Sequence, residues 1–286
     1  MKTYRFKFSQ LPGDLINFLP GIKHVCERDN AKAEIWLGLD MQWGDERVAE
    51  GRVTLTEDTM RMLKPLLMSQ YYISGVFSWK DVDPERYKLW IDFFKILRTQ
   101  EEKMEWHHKH FNDIVDLDKI YMGFVNMPYG NIHRWPWYFY PDMACDLSKP
   151  WLDVAPDETF EDCIVINRTL RSRNQFINYE FLKNKGAVMF VGLHDEYVDF
   201  VDSNGFAYGW LYWAKPDDFL QLAAIIRSAK LFIGNQSLCF ALAEAMKVPR
   251  ILETCPSLPN VIPCGGKAYD FYYQSCLEYY FNELNK

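Results

Sequence analysis

Residues 222–253, LAAIIRSAKLFIGNQSLCFALAEAMKVPRILE, decide the fold. Behind a Pro216-Asp217-Asp218 start, Phe219, Leu222, Ala223, Ile226 and Ala229 fall on one helical face through Lys230. LFIG (231–234) then reads as a short buried strand, and Asn235-Gln236-Ser237 as a loop. A second helix follows over 238–247, and PRILE (249–253) makes a further strand. Helices alternating with short apolar strands build a parallel sheet covered on both faces.

The same alternation extends outward. CIVIN (163–167) and AVMFVG (187–192) are buried-strand patterns, and YEFLKNKG (179–186) predicts a helix ending in a glycine cap. At the start of the chain YRFKF (4–8) alternates as a strand and residues 10–13 turn. Asp14 then precedes the apolar series Leu15, Ile16, Phe18, Leu19, Ile22 and Val25, and EIWLGL (34–39) is the next strand, which completes a βαβ unit. Residues 84–114 read as mostly helical, KIYMGFV (119–125) as a strand, and 269–284 as a last, aromatic-rich helix. Pro128, Pro136, Pro141, Pro150 and Pro156 interrupt a Trp- and Tyr-rich stretch that connects two domains, 1–145 and 146–286. The last helix is free in this scheme to pack back on the first domain.

A chain of 286 residues suits two domains of about 150 each, and 49% apolar with 25% charged residues lies in the folded range. Thirty-two basic against 39 acidic residues leave a net charge of −7, so nucleic acid is not an expected partner. Seven cysteines with no CxxC, and a start (MKTYRFKFSQ) without an apolar signal core, predict reduced thiols in the cytoplasm. The longest apolar runs are broken by charge, as at Asp92 and Lys95 in LWIDFFKIL, so no transmembrane segment is expected and lipid is met only peripherally. No GxGxxG, P-loop or GxSxG motif occurs.

Chemistry concentrates in a few places. The helix start after Asn235-Gln236-Ser237 offers N–H groups and a positive dipole end to a phosphate, or is an ordinary capped turn. Arg168, Arg171 and Arg173, with Asn174 beyond them, follow a buried strand; they suit an anion with several oxygens, such as a diphosphate, or form a solvated charge run. Glu244 lies two turns beyond Gln236, where it suits the hydroxyls of a ribose or a helix surface. Asp14 reads equally as an N-cap and as a general base. His107 and His110 at i,i+3 lack a complete ligand set, so no metal is expected, and the aromatic residues of 135–140 suit packing or the stacking of a ring.

Gly13-Asp14-Leu15, Leu19-Pro20-Gly21-Ile22-Lys23 and AEIWLGL, together with residues 222–253, resemble the heptosyltransferase-type glycosyltransferases that act on ADP-heptose and lipopolysaccharide. These motifs touch both halves of the chain, while residues 45–160 carry none of them. The resemblance implies a GT-B-like α/β fold in which two Rossmann-like domains with parallel sheets face a central cleft. The first domain takes the acceptor and the second the nucleotide-sugar. It further implies Asp14 as catalytic base, with Arg168, Arg171, Arg173, Asn174, Asn235, Gln236, Ser237 and Glu244 on the donor. The chain departs from the family pattern at Gln236, Leu238 and Ala241, where Asp, Gly and His are usual, so the donor stays open. The implied activity is inverting transfer of a hexosyl or heptosyl group to an acceptor hydroxyl of a saccharide or glycan, without metal or other cofactor. A catalytically silent nucleotide-sugar-binding relative and a nucleotide-sugar epimerase or hydrolase are the alternatives.

Overall fold

The computed structural model describes residues 1–40, 55–94, 100–122 and 130–285. They form two compact units, Met1–Asn126 with Arg134–Cys145, and Met127–His133 with Asp146–Lys286.

In the first unit β1 (Lys2–Phe8), α1 (Pro12–Arg28) and β2 (Ala31–Leu37) make the expected βαβ unit, with β1 and β2 parallel from Lys2↔Ala31 to Phe8↔Leu37. The helix buries Leu15, Phe18, Leu19 and Ile22, one stripe of a 3.6-residue period. Next come α2 (Glu57–Met68), capped by the Thr56 side chain, β3 (Ile73–Ser78) and the short α3 (Trp79–Val82). The helical stretch after Pro84 resolves into α4 (Pro84–Phe94) and α5 (Gln100–His110), before β4 (Val115–Asp116). The four strands are all parallel, in the order β3-β2-β1-β4.

The strand expected at 119–125 is not formed: Leu117–Met122 is a 3₁₀ helix, and residues 123–125 lie outside the described ones. The reason is local. The Asp116 carboxylate accepts the Asp118 N–H at 3.0 Å, a side-chain turn that takes the chain out of the ladder after the Lys7↔Asp116 pair.

The second unit is a six-stranded parallel sheet in the order β10-β9-β8-β5-β6-β7. Its chain order is β5 (Ile164–Asn167), β6 (Val188–Val191), α6 (His194–Ser203), β7 (Tyr212–Ala214) and α7 (Phe219–Ser228). Then follow β8 (Leu231–Asn235), α8 (Leu238–Met246), β9 (Arg250–Glu253), β10 (Ala268–Phe271) and α9 (Gln274–Leu284). The helix expected to end at Gly186 is only a 3₁₀ turn, Glu180–Leu182, and the last predicted helix divides into β10 and α9. Leu277 and Phe281 of α9 join Ile251, Phe271 and Ile233 in this unit's own core. No helix among the described residues is long and apolar enough to cross a membrane.

Each sheet has one point where the strand order reverses. The first unit builds outward from β1 through β2 to β3, then returns to set β4 on the other side of β1. The second runs β5, β6, β7, then sets β8, β9 and β10 on the other side of β5. Loops diverge from such a reversal, leaving a crevice at the carboxyl ends of the two strands where ligands bind in open α/β sheets.

Candidate functional site

The β5/β8 reversal gathers the loop residues singled out in the sequence. Gly234 faces Asn167 across the ladder, and a Cβ on it would stand 2.6 Å from the Asn167 carbonyl oxygen, so the close approach needs glycine. Asn235 is fully buried; its Oδ1 accepts the Thr169 N–H at 2.9 Å, while its Nδ2 donates to the carbonyls of Arg171 at 2.6 Å and Thr169 at 3.1 Å. The side chain thus shapes the loop after β5 rather than facing a ligand. Arg171 is left exposed, its guanidinium without a hydrogen bond or ion pair among the described residues. Ser237 caps α8, accepting the Phe240 N–H at 3.1 Å. Gln236 Nε2 donates to Asn260 Oδ1 at 2.6 Å, and its Oε1 is enclosed without a partner among the described residues.

Asn167 closes β5 and is 1% exposed. Its Nδ2 donates to the Val191 carbonyl at 2.7 Å, but its Oδ1 has no partner among the described residues. A buried acceptor left unmade costs about 1–3 kcal/mol, so its presence at the carboxyl edge of the sheet is informative. Alongside it Gly192 follows β6, at φ +143°, and a Cβ there would lie 2.8 Å from both Asn167 Nδ2 and Glu196 Oε2. Glu196, in the first turn of α6, accepts the Leu193 N–H at 2.9 Å. Burial pushes its carboxyl above the ordinary range, against the Leu193 bond and the Arg171 charge. The sequence pattern did not single out Gly192 or Glu196. The signal was there, since a buried strand that runs into glycine and then a helix repeats the arrangement seen at 231–238, with an acidic first turn added.

Other predicted donor residues are committed elsewhere. Arg168 is buried in a two-point pair with Glu253, Nε to Oε2 at 2.8 Å and Nη2 to Oε1 at 3.0 Å. The Tyr179 hydroxyl donates to Glu253 Oε2 at 2.7 Å and the Asn174 N–H to Oε1 at 2.5 Å. Asn174 in turn accepts from Arg168 Nη2 at 2.8 Å and donates to the Tyr272 carbonyl at 2.8 Å. Arg173 pairs with Asp199. The three arginines therefore do not act as one cluster.

Glu244 is neither a surface residue nor open to a ribose. It is fully buried, with Oε1 taking Lys247 at 2.5 Å and the Cys264 N–H at 3.1 Å, and Oε2 taking Arg250. Every residue of α8 from Cys239 to Met246 is buried, which leaves a carboxylate there no route to water and makes ion partners obligatory.

Asp14 is partly exposed in the first turn of α1, whose N-cap is Leu11 and not Asp14. His107 Nε2 lies 2.7 Å from Asp116 Oδ2 and its ring stacks on Phe111, whereas the ring of His110 lies against Trp106. Of the aromatic stretch 135–140, Trp135 is buried and the Tyr140 hydroxyl accepts the Asp116 N–H at 3.0 Å, so both serve packing. The β1/β4 reversal carries Lys7, Asp116, Asp118 and Ser9, all buried.

Two parallel α/β units of this topology define a GT-B-like, heptosyltransferase-like fold. No family model matches the chain, and no curated protein matches it in sequence. Solved structures do match in fold. E. coli ADP-heptose LPS heptosyltransferase II superposes with a TM-score of 0.64 at 12% identity, over 100% of this chain and 98% of that one. A family 9 glycosyl transferase from Veillonella parvula gives 0.60 at 10% identity, over 99% and 88%. An E. coli heptosyltransferase solved with ADP gives 0.55 at 10% identity, over the whole of both chains. The likeness extends to the described residues of the middle of the chain, which the sequence motifs did not reach.

Proposed function

We propose that this protein is a glycosyltransferase that moves a hexosyl or heptosyl group from a nucleoside-diphosphate donor to an acceptor hydroxyl, with inversion and without a metal. The observation that carries the proposal is the convergence of unused capacity at the β5/β8 reversal. The Asn167 Oδ1 acceptor, the exposed Arg171 guanidinium and the N-terminal end of α8 behind Ser237 all belong to that edge. A guanidinium and a helix N-terminus are suited to two phosphates, and an orphaned amide oxygen to a hydroxyl or amino group of the same ligand. The fold neighbours support this reading, one of them having been solved with ADP.

In the proposed reaction Asp14 takes the proton of the acceptor hydroxyl as its oxygen bonds to the anomeric carbon. The bond from that carbon to the diphosphate breaks, and its electron pair leaves on the phosphate oxygen. Arg171 and the α8 N-terminus share the departing charge, a role worth about 2–4 kcal/mol per donor in comparable oxyanion sites. Attack opposite the leaving group inverts the centre. Arg168, Asn174 and Asn235 act behind this, holding the loop that presents Arg171. The acceptor is proposed to be a saccharide or glycan, and seven cysteines with no CxxC among them suit a reducing cytoplasm.

Thermal-shift titration with UDP, GDP, ADP and CMP tests the donor site. One nucleoside diphosphate at 100 times its Kd should add about 2.7 kcal/mol to stability. Arg171→Ala should abolish that gain and Asp14→Asn should retain it. No shift at millimolar nucleotide would remove the donor site and the function with it.

A further inference from the structure

At the β1/β4 reversal ionisable side chains lie out of reach of water. Lys7 is fully buried, its Nζ 2.9 Å from Asp116 Oδ1, 2.9 Å from Asp118 Oδ2 and 3.0 Å from the centre of the Trp90 ring. His107 holds the other Asp116 oxygen at 2.7 Å. Apolar residues of the same volume often stabilise a core as well as a buried ion cluster does, so stability alone does not account for one.

The remaining bonds of the Asp118 carboxylate go to a single residue. Its Oδ1 accepts the Ser9 backbone N–H at 2.9 Å and its Oδ2 accepts the Ser9 hydroxyl at 2.5 Å, across 109 residues of sequence. Ser9 is the first residue after β1 and stands two before Leu11, the N-cap of α1. Leucine cannot cap, and α1 has no side-chain cap bond. Its first turn depends on the Leu11 carbonyl, which accepts from Asp14 N–H at 3.0 Å and Leu15 N–H at 3.3 Å. The chain entering that turn is therefore fixed from a distance, by the grip of Asp118 on Ser9.

We propose that Asp118 is a positioning residue for Asp14. It anchors the β1–α1 loop so that the Asp14 carboxylate stands where the acceptor hydroxyl is deprotonated, while Lys7 neutralises it and is itself held by Asp116. This inference rests on the transferase reading of Asp14.

The test uses the full chain with Asp118→Ala and the gentler Ser9→Ala, which removes only the hydroxyl bond. Hydrogen exchange should quicken about tenfold at the amides of residues 9–16 in Asp118→Ala, with α7 and α8 unchanged. The kcat for sugar transfer should fall about 10–100-fold, as misplacement of a reacting group by about 1 Å does. Nucleoside-diphosphate Kd, set in the other unit, should stay within about twofold. Ser9→Ala should show the same pattern at smaller size, and keeps the test alive if Asp118→Ala fails to fold. Unchanged exchange at residues 9–16 overturns the proposal, as does faster exchange with unchanged kcat. If the wild type binds nucleotide but transfers no sugar, the transferase reading fails; local loosening in Asp118→Ala would then mark a structural anchor only, and the positioning role is overturned with that reading.

Discussion

Between β5 and β8 the polar groups at the strand ends are mostly neutral and some are unsatisfied, whereas between β1 and β4 the ionisable side chains Lys7, Asp116 and Asp118 satisfy one another, with the neutral Gln10 Nε2 beside them lacking a partner among the described residues. Asn167 Oδ1 and Gln236 Oε1 have no partner among the described residues; Lys7, Asp116 and Asp118 together complete their bonds. The contrast separates two uses of the same topological position. Neutral amides with spare hydrogen-bonding capacity suit the proposed donor, and an ion cluster that saturates itself suits the holding of its own chain.

Breaking the saturated edge should have the largest effect. Lys7→Met leaves Asp116 and Asp118 facing each other without the cation they share, and should cost about 3–5 kcal/mol in denaturant unfolding. Asp116 is the less affected of the two, because it keeps His107: burial raises its carboxyl, but Lys7 and His107 outweigh that and hold it below the usual range. Burial, against Lys7 and with Asp116 close by, keeps Asp118 above that range. Asp118 is then the carboxyl that takes up a proton when Lys7 is removed. A loss below about 1 kcal/mol would mean that the cluster is solvated and the contrast between the two edges is not real.

The arginines of the second unit sharpen the comparison within a single loop. Arg168→Ala strips the buried Glu253 carboxylate of its cation and should also cost about 3–5 kcal/mol. Arg171→Ala removes an exposed side chain and should change stability by less than about 0.5 kcal/mol. Nucleoside-diphosphate binding should respond in the opposite order, failing in Arg171→Ala and surviving in whatever fraction of Arg168→Ala folds. Equal stability losses in both variants would show that Arg171 is structural too.

These residues also show where sequence is legible and where it is not. Strand, loop and helix around 231–246 could be read because apolar periodicity and the cap at Ser237 are local properties. Which arginine of Arg168-Thr169-Leu170-Arg171-Ser172-Arg173 faces inward is not local. It depends on Glu253, 85 residues away. Lys7 misleads in a similar way, since alternation in YRFKF sends it outward, and Arg5 on the same face is indeed exposed, yet the Phe6–Phe8 end of this interior strand is covered on both faces. Glu244 was readable: LCFALAEAM is apolar around its whole circumference, the mark of a buried helix, and a carboxylate in it must be paired. Glu196 went unread because α6 was not resolved as an element.

Glu196 supplies the smallest effect and the most direct probe of the unsaturated edge. Its carboxyl is raised by burial, so between the ordinary glutamate pKa and the raised one the folded protein holds a proton that the unfolded chain has released. Stability therefore falls as pH rises through that window, and Glu196→Gln should remove this part of the slope. A diphosphate bound at the same edge adds negative charge beside Glu196 and pushes its pKa further up, so binding takes up a fraction of a proton. Affinity should then strengthen as pH falls, by less than about tenfold per unit because a single group is linked. Calorimetric titrations in two buffers of different ionisation enthalpy measure that uptake directly. The nucleotide's own phosphate titrates in both proteins, so the difference between wild type and Glu196→Gln isolates the side chain. If that difference is zero while binding is intact, the diphosphate lies away from Glu196, and the β5/β8 edge holds it through Arg171 and α8 alone.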